Sequence, residues 1–127
     1  MDILNKEDEY IMYILVNSEL KMKTGKISSQ CCHSSCKVIQ ILENFKDKPE
    51  YYVKWLSNGY PKIILKADEI TLKMCIDNYN NVNKEIWCVH TIDLGRTQIK
   101  PNSLTSVAFN PILRKSVPEF IKTLKLL

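Results

Sequence analysis

Glycine is scarce in this sequence, because its 127 residues include only Gly25, Gly59 and Gly95. So few glycines exclude a glycine-rich linker or phosphate loop, and each one predicts a constrained turn. Long apolar runs are also missing, since none reaches the roughly 18 residues that a membrane-spanning helix needs. The acidic, polar first nine residues do not resemble a secretion signal. The sequence therefore predicts no membrane span and no secretion.

The composition is that of one ordinary globular domain, with 45% hydrophobic and 25% charged residues. We expect an N-terminal extension at 1–9 and the domain at 10–127. The five cysteines are odd in number and no secretion signal precedes them, which predicts reduced thiols and a cytoplasmic protein. A metal cluster built from Cys31, Cys32, His33 and Cys36 would lack the second ligand pair of a zinc site. Buried apolar packing is therefore the expected role of most of these thiols, and no metal is expected.

The net charge of +4 is concentrated in two stretches that contain no acidic residue, 21–37 and 94–115. Such stretches are typical of a surface that binds phosphate, although a mixed-charge surface is the more common meaning of a small positive balance. The first stretch holds Lys21, Lys23, Lys26 and Lys37. The second holds Arg96, Lys100, Arg114 and Lys115.

The apolar pattern predicts the order β-α-α-β-α-β-β-α, a mixed α/β layer with parallel crossovers. The continuous apolar run at 10–16 predicts a strand covered on both faces. Further strands are expected at 62–66, 86–91 and 104–109. Helices are expected at 25–46 with Thr24 as N-cap, at 50–57, from the capping residue Asp68 to about 78 with Ile70 facing inward, and from after Pro111 to about 124. Pro118 is expected either near the first turn of this last helix or at a kink within it.

Two polar segments are candidates for chemistry. Residues 23–26 read Lys-Thr-Gly-Lys, but they lack the first glycine and the magnesium-binding hydroxyl of an ATP- or GTP-binding loop. A helix that starts there would still favour an anion. Residues 93–98 read Asp-Leu-Gly-Arg-Thr-Gln and follow a buried strand, where active sites of open α/β sheets gather, although a solvated loop would look similar.

Together these two segments resemble the motifs of the peptidyl-tRNA hydrolase type II family. The first is Leu-Lys-Met-Lys-Thr-Gly-Lys-Ile-Ser-Ser-Gln-Cys-Cys-His-Ser at 20–34, and the second is Asp-Leu-Gly-Arg-Thr-Gln-Ile-Lys-Pro at 93–101. Trp55, the Gly59 turn and the C-terminal Leu-Lys-Leu-Leu also fit. The resemblance implies a single α/β domain with a four-stranded mixed β-sheet and helices packed on both faces. It further implies hydrolysis of the peptide–tRNA ester without metal or organic cofactor, and a homodimer is a form seen in the family.

Family residues match at Lys26, Gln30 and His33 in the first motif, at Asp93, Arg96 and Thr97 in the second, and at Thr105. Leu94 departs from the usual small residue, and Asn102 and Asn110 stand where glycine is common.

On these matches, the hypothesis is that Asp93 orients or deprotonates the attacking water while the hydroxyls of Thr97 and Thr105 complete its hydrogen bonds. Lys26 would stabilise the oxyanion, and Gln30 would position Lys26 or the substrate. His33 is either catalytic or structural, and Arg96 holds either Asp93 or a phosphate. The candidate contacts to the tRNA backbone are Lys21, Lys23, Lys37, Arg96, Lys100 and Lys115. The alternative is a catalytically weak module of the same fold that binds RNA or protein.

Overall fold

The structure is a computed structural model that describes residues 6–94 and 100–127. Its strands are β1 (Tyr10–Asn17), β2 (Lys62–Ala67), β3 (Cys88–Ile92), β4 (Leu104–Phe109) and β5 (Ile112–Leu113). Its helices are α1 (Thr24–Glu43), α2 (Glu50–Ser57), α3 (Glu69–Asn78) and α4 (Glu119–Lys122). None of the described helices is long and apolar enough to cross a membrane.

The strands form one mixed sheet in the order β2-β1-β4-β3. β1 runs parallel to β2 and antiparallel to β4, and β3 runs antiparallel to β4. A parallel pair needs a long crossover, which α1 and α2 supply between β1 and β2. The predicted α/β domain is therefore confirmed, with five strands rather than the four expected.

The fifth strand arises where a helix was expected. After Pro111, Ile112 and Leu113 pair with the first two residues of β1. Pro118 then precedes a helix of only four residues, Glu119–Lys122. Proline lacks an N–H donor and disfavours helical backbone in the residue before it, so one helix from 111 to 124 could not form. The prediction of a final helix that starts after Pro111 was wrong, whereas Pro118 does lie at the start of the final helix, which was one of the two expected positions.

The core consists of two apolar layers, one on each face of the sheet, and this confirms helices on both faces. Residues 11–16 of β1 are at most 6% exposed, as the uninterrupted apolar run predicted. One layer packs Val38 and Leu42 of α1 and Trp55 of α2 against the sheet. The other packs Leu72 and Cys75 of α3 against the opposite face.

Local hydrogen bonds set the ends of the helices. The Asp68 carboxylate accepts from the Thr71 backbone N–H at 2.8 Å and caps α3, as predicted. Ile70, which was expected to face inward, is 80% exposed. It lies two residues before the buried Leu72, and positions two apart on a helix do not share a face.

Both outer strands of the sheet have hydrogen bonds on the edge that faces away from the sheet. Along β2, the Lys66 N–H donates to the Lys125 carbonyl at 2.8 Å, and the Leu127 N–H donates to the Ile64 carbonyl at 3.1 Å. Along β3, the Cys88 N–H donates to the Tyr79 carbonyl at 2.8 Å. The Lys37 ammonium donates to the carbonyl of His90, also at 2.8 Å.

Candidate active site

The two sequence motifs meet in an ion pair between Lys26 and Asp93. Lys26 lies in the first turn of α1, and Asp93 directly follows β3. The side chains are only 7% and 4% exposed. A single charge buried this deeply would be strongly unfavourable, and contact with the opposite charge offsets part of that cost for each group.

Backbone hydrogen bonds hold Asp93 in place. Its N–H donates to the Ser103 carbonyl at 2.9 Å, and its carbonyl accepts from the Asn102 N–H at 2.7 Å. Asn102 has a φ of 66°, a left-handed conformation that asparagine tolerates better than most residues. The stretch at 100–103 therefore lies beside Asp93, which fixes the carboxylate opposite the start of α1.

The start of α1 favours negative charge. Its N-cap is Lys23, and no described side chain caps the first turn by a hydrogen bond. Thr24, the predicted N-cap, is instead the first helical residue. The uncapped N–H groups and the helix dipole add partial positive charge next to Lys26. An anion that forms during a reaction would be stabilised at this point.

Gln30 and Thr105 form a second buried contact behind the ion pair. The Thr105 hydroxyl lies 2.6 Å from Gln30 Oε1 and 3.1 Å from the Thr91 carbonyl. A hydroxyl has one proton to donate, and the shorter distance assigns it to the amide oxygen. The hydroxyl of Thr105 therefore holds Gln30 instead of completing the hydrogen bonds of Asp93. The Gln30 amide nitrogen has no hydrogen-bond partner among the described residues, so its two N–H donors are available to a ligand.

Three buried hydroxyls connect α1 to the strands that carry the site. Ser34 Oγ lies 2.6 Å from Thr91 Oγ1 and 2.8 Å from Ser106 Oγ, and the Ser106 hydroxyl lies 3.0 Å from the Gln30 carbonyl. All three side chains are at most 4% exposed. The sequence analysis assigned no role to this hydroxyl cluster, Ser34, Thr91 and Ser106. The available signal was a serine within the otherwise apolar face of the helix.

A cavity of about 550 Å³ opens beside the ion pair. One wall is α1, and the other is the end of β3 together with Asp93 and Leu94, which follow it. Lys26, Gln30 and Asp93 line one end, and Cys36, Lys37 and Gln40 line the other. His33 lies between them, with its Nε2 3.4 Å from the Ser29 hydroxyl. The cavity therefore joins the proposed reacting groups to a longer groove.

Lys37, which lines this groove, is linked to His90 of β3. The hydrogen bond from Lys37 to the His90 carbonyl holds the ammonium near the ring. Burial, followed by the charge of Lys37, lowers the pKa of His90 below its ordinary value. His90 is therefore uncharged at neutral pH, and Lys37 is the cation on this part of the wall.

The other candidate residues do not all gather at this edge of the sheet. Lys21 and Lys23 directly precede α1 and are exposed, and exposed Lys100 begins the stretch beside Asp93. Lys115 lies near the opposite end of the strands, because it follows β5, which pairs with the first residues of β1. Its ammonium contacts Asp8 at 2.9 Å. Arg96 and Thr97 lie outside the described residues.

The thiols divide into two groups. Burial raises the pKa of Cys75 and Cys88 to about 12, and the pKa of Cys31 to about 11. Cys32 and Cys36 are exposed on α1, so the apolar packing expected of most of the thiols does not extend to these two. Within residues 6–94 and 100–127, no three histidine, cysteine or acidic residues are placed to hold a metal ion.

Comparison with known proteins identifies the family. The model of the family described as "Peptidyl-tRNA hydrolase PTH2" matches residues 10–127. A peptidyl-tRNA hydrolase of Methanococcus maripaludis is 34% identical over 93% of this chain and 99% of its own length. The mouse protein named "Peptidyl-tRNA hydrolase 2, mitochondrial" is 31% identical over 98% of this chain and 67% of its own. A peptidyl-tRNA hydrolase of Staphylothermus marinus is 29% identical over 96% of this chain and 98% of its own. With its two motifs joined by the Lys26–Asp93 pair, this chain belongs to the peptidyl-tRNA hydrolase PTH2 family.

Proposed function

We propose that this protein hydrolyses the ester bond between peptide and tRNA in peptidyl-tRNA and so releases free tRNA for reuse. The observation that carries the proposal is the buried Lys26–Asp93 pair at one end of an open cavity. An ester hydrolase needs a group that directs water and a cation that stabilises the oxyanion, and this pair supplies both in contact. The family and the names of its members support the same reaction.

The reaction follows from the position of these groups. Asp93 orients a water molecule and accepts its proton as the oxygen attacks the ester carbonyl carbon, a step that contributes about 10²–10⁴-fold. The carbonyl oxygen becomes an oxyanion, which Lys26 and the N–H groups at the start of α1 stabilise. The bond from the carbonyl carbon to the ribose oxygen then breaks. The proton passes to that oxygen, so the products are the peptide carboxylate and a tRNA with a free 3′-terminal ribose hydroxyl.

Gln30 is the third catalytic group of this proposal. With its oxygen bonded to Thr105, its amide nitrogen can donate to the oxyanion or to the attacking water. One such donor contributes about 10²–10³-fold when it is aimed in advance. Thr105 acts through Gln30 and is therefore a positioning residue. The predicted roles of Thr97 and Arg96 remain predictions, as does a catalytic role for His33.

Contacts to the tRNA backbone are assigned to the lysines near the start of α1 and beside Asp93, namely Lys21, Lys23 and Lys100. Such contacts position an RNA without reading its sequence. A cytoplasmic location belongs to the same proposal, because peptidyl-tRNA is a product of translation and the five thiols are unpaired. A homodimer remains a prediction.

The test measures release of labelled peptide from peptidyl-tRNA by the purified protein. Lys26→Ala and Asp93→Ala should each lower kcat by at least about 10²-fold. Lys73→Ala is the matched control, since this exposed lysine lies on α3, across the sheet from the site. It should retain the wild-type rate. A wild-type protein that binds tRNA but releases no peptide at any concentration would overturn the proposal in favour of a binding module.

A further inference from the structure

The cavity extends well beyond the reacting groups. Its helical wall is one stripe of α1, with positions 26, 30, 33, 37 and 40 spaced three or four residues apart. At a rise of 1.5 Å per residue, the stripe from Lys26 to Gln40 spans roughly 21 Å. The opposite wall is the end of β3 with Asp93 and Leu94. We call this cleft between α1 and the end of β3 the α1–β3 groove.

We propose that the α1–β3 groove binds the peptide arm of peptidyl-tRNA. The bound tRNA extends from the site in the other direction, past the start of α1. This assignment rests on the proposed function, because it takes the ester to lie at Lys26 and Asp93. The assignment adds that the peptide lies on the groove side of the ester bond and the tRNA on the side of the start of α1.

The charge of the groove is poorly suited to RNA. Lys26 is paired with Asp93, and Lys37 already donates to the His90 carbonyl. Ser29, Gln30 and Gln40 present uncharged polar groups along the rest of the helical wall. Of the described residues that line the groove, none is phenylalanine, tyrosine or tryptophan, and the imidazole of His33 is the one ring on which a base could stack.

A peptide fits the same walls. Neutral amide and hydroxyl groups can form hydrogen bonds to the main chain of a peptide whatever its sequence. The proposed function requires this, because the peptides attached to tRNA differ in sequence. Ile92 and Leu94, 42% and 73% exposed, give the other wall an apolar surface for side chains. At about 3.3 Å per residue, the 21 Å length would hold roughly six residues of extended peptide.

The peptide is held by side chains of the groove and not as an added strand. The outward edge of β3 already has hydrogen bonds at Cys88 and His90, to Tyr79 and Lys37. Recognition by strand addition would require a free edge. The tRNA arm then lies on the other side of Lys26, where Lys21 and Lys23 are exposed.

Two substrates on the same tRNA test the assignment, one with a single N-acetylated amino acid and one with a six-residue peptide. Cys36→Trp fills the groove from its exposed wall. Cys32→Trp is the matched control, because Cys32 is exposed one turn earlier on α1 but does not line the groove. For Cys36→Trp, kcat/KM for the six-residue substrate should fall about tenfold more than kcat/KM for the single residue. In Cys32→Trp, the ratio of kcat/KM for the six-residue substrate to kcat/KM for the single-residue substrate should equal that of the wild type.

A binding experiment separates this proposal from the proposed function. The probes are a peptidyl-tRNA analogue with an amide in place of the ester, which the enzyme would not turn over, and uncharged tRNA. Cys36→Trp should weaken binding of the six-residue analogue and leave binding of uncharged tRNA unchanged. Equal weakening of both would assign the groove to the RNA and overturn the inference. If the wild-type protein bound the six-residue analogue more tightly than uncharged tRNA but released no peptide from peptidyl-tRNA, the proposed function would be overturned. The assignment of the groove to the peptide would stand.

Discussion

Lys26 and Asp93 are 67 residues apart in sequence and form an ion pair that is almost fully shielded from water. The pair joins the start of α1 to the end of β3, so it serves stability and reactivity together. Replacing either partner with an uncharged residue removes this ion pair and leaves the charge of the other partner in the protein interior. The pair can therefore be tested by a double-mutant cycle.

We expect Lys26→Met and Asp93→Leu each to lower the free energy of unfolding by about 3–5 kcal/mol, measured by urea denaturation. The double variant should recover most of that loss, since it buries two apolar groups and no charge. Its peptide release should remain as low as that of the single variants. A double variant as unstable as the sum of the two singles would contradict the coupling.

Thr105 is expected to affect turnover through Gln30. Thr105→Val keeps the shape of the side chain but removes the hydroxyl that holds the Gln30 amide oxygen. We expect kcat to fall about tenfold or more with little change in KM, because an aimed donor contributes mainly in the transition state. Thr105→Ser should restore most of the rate. A failure of serine to restore it would show that the methyl group, and hence packing, is what matters.

Thiol labelling should follow burial and pKa. At pH 8, iodoacetamide should modify Cys32 and Cys36 within minutes and leave Cys75 and Cys88 unmodified in the folded protein. Thiols with a pKa of about 12 are almost wholly protonated at that pH, and the thiolate is the reactive form. Mass spectrometry of digested protein reads each site. All five should react in urea, and rapid modification of Cys75 without denaturant would contradict the packing of α3.

The predicted phosphate contacts should be visible in the salt dependence of tRNA binding. Lys21→Ala should weaken binding and reduce the slope of log K against log salt by about one unit. Lys115→Ala should leave the slope unchanged, because the structure puts this lysine near the opposite end of the strands, in contact with Asp8. Fluorescence anisotropy with labelled tRNA, at several salt concentrations, measures both. Equal slopes for Lys21→Ala and wild type would remove Lys21 from the interface.

Much of the fold was predictable because local signals and tertiary packing agree in most of the chain. The apolar run of β1, the cap at Asp68 and the bounds of α2 could all be obtained from periodicity and capping rules. The short strand at Ile112 and Leu113 could not, because its partner is the start of β1, near the other end of the chain. Pairing between segments so far apart in sequence leaves no signal in a short window of residues.

The site was predictable to a smaller extent. The resemblance identified Lys26 and Asp93 as members of one site, but their direct pairing required the three-dimensional arrangement. The partner of Thr105 was likewise not readable from spacing, since Gln30 lies 75 residues away. The hydroxyl cluster was missed because Ser34 falls within the otherwise apolar face of α1, beside Val38 and Leu42. A buried serine and a buried alanine look alike in an amphipathic pattern.

The hydrogen bonds along the outer edges of β2 and β3 have a consequence for assembly. Two copies of the chain could join their sheets into one only through an outer strand whose main chain is free. Here C-terminal residues form hydrogen bonds to β2, and Tyr79 and Lys37 form hydrogen bonds to β3. A homodimer that joined the two sheets would therefore have to displace these hydrogen bonds first. The same engaged edges also disfavour open-ended stacking of sheets into fibrils.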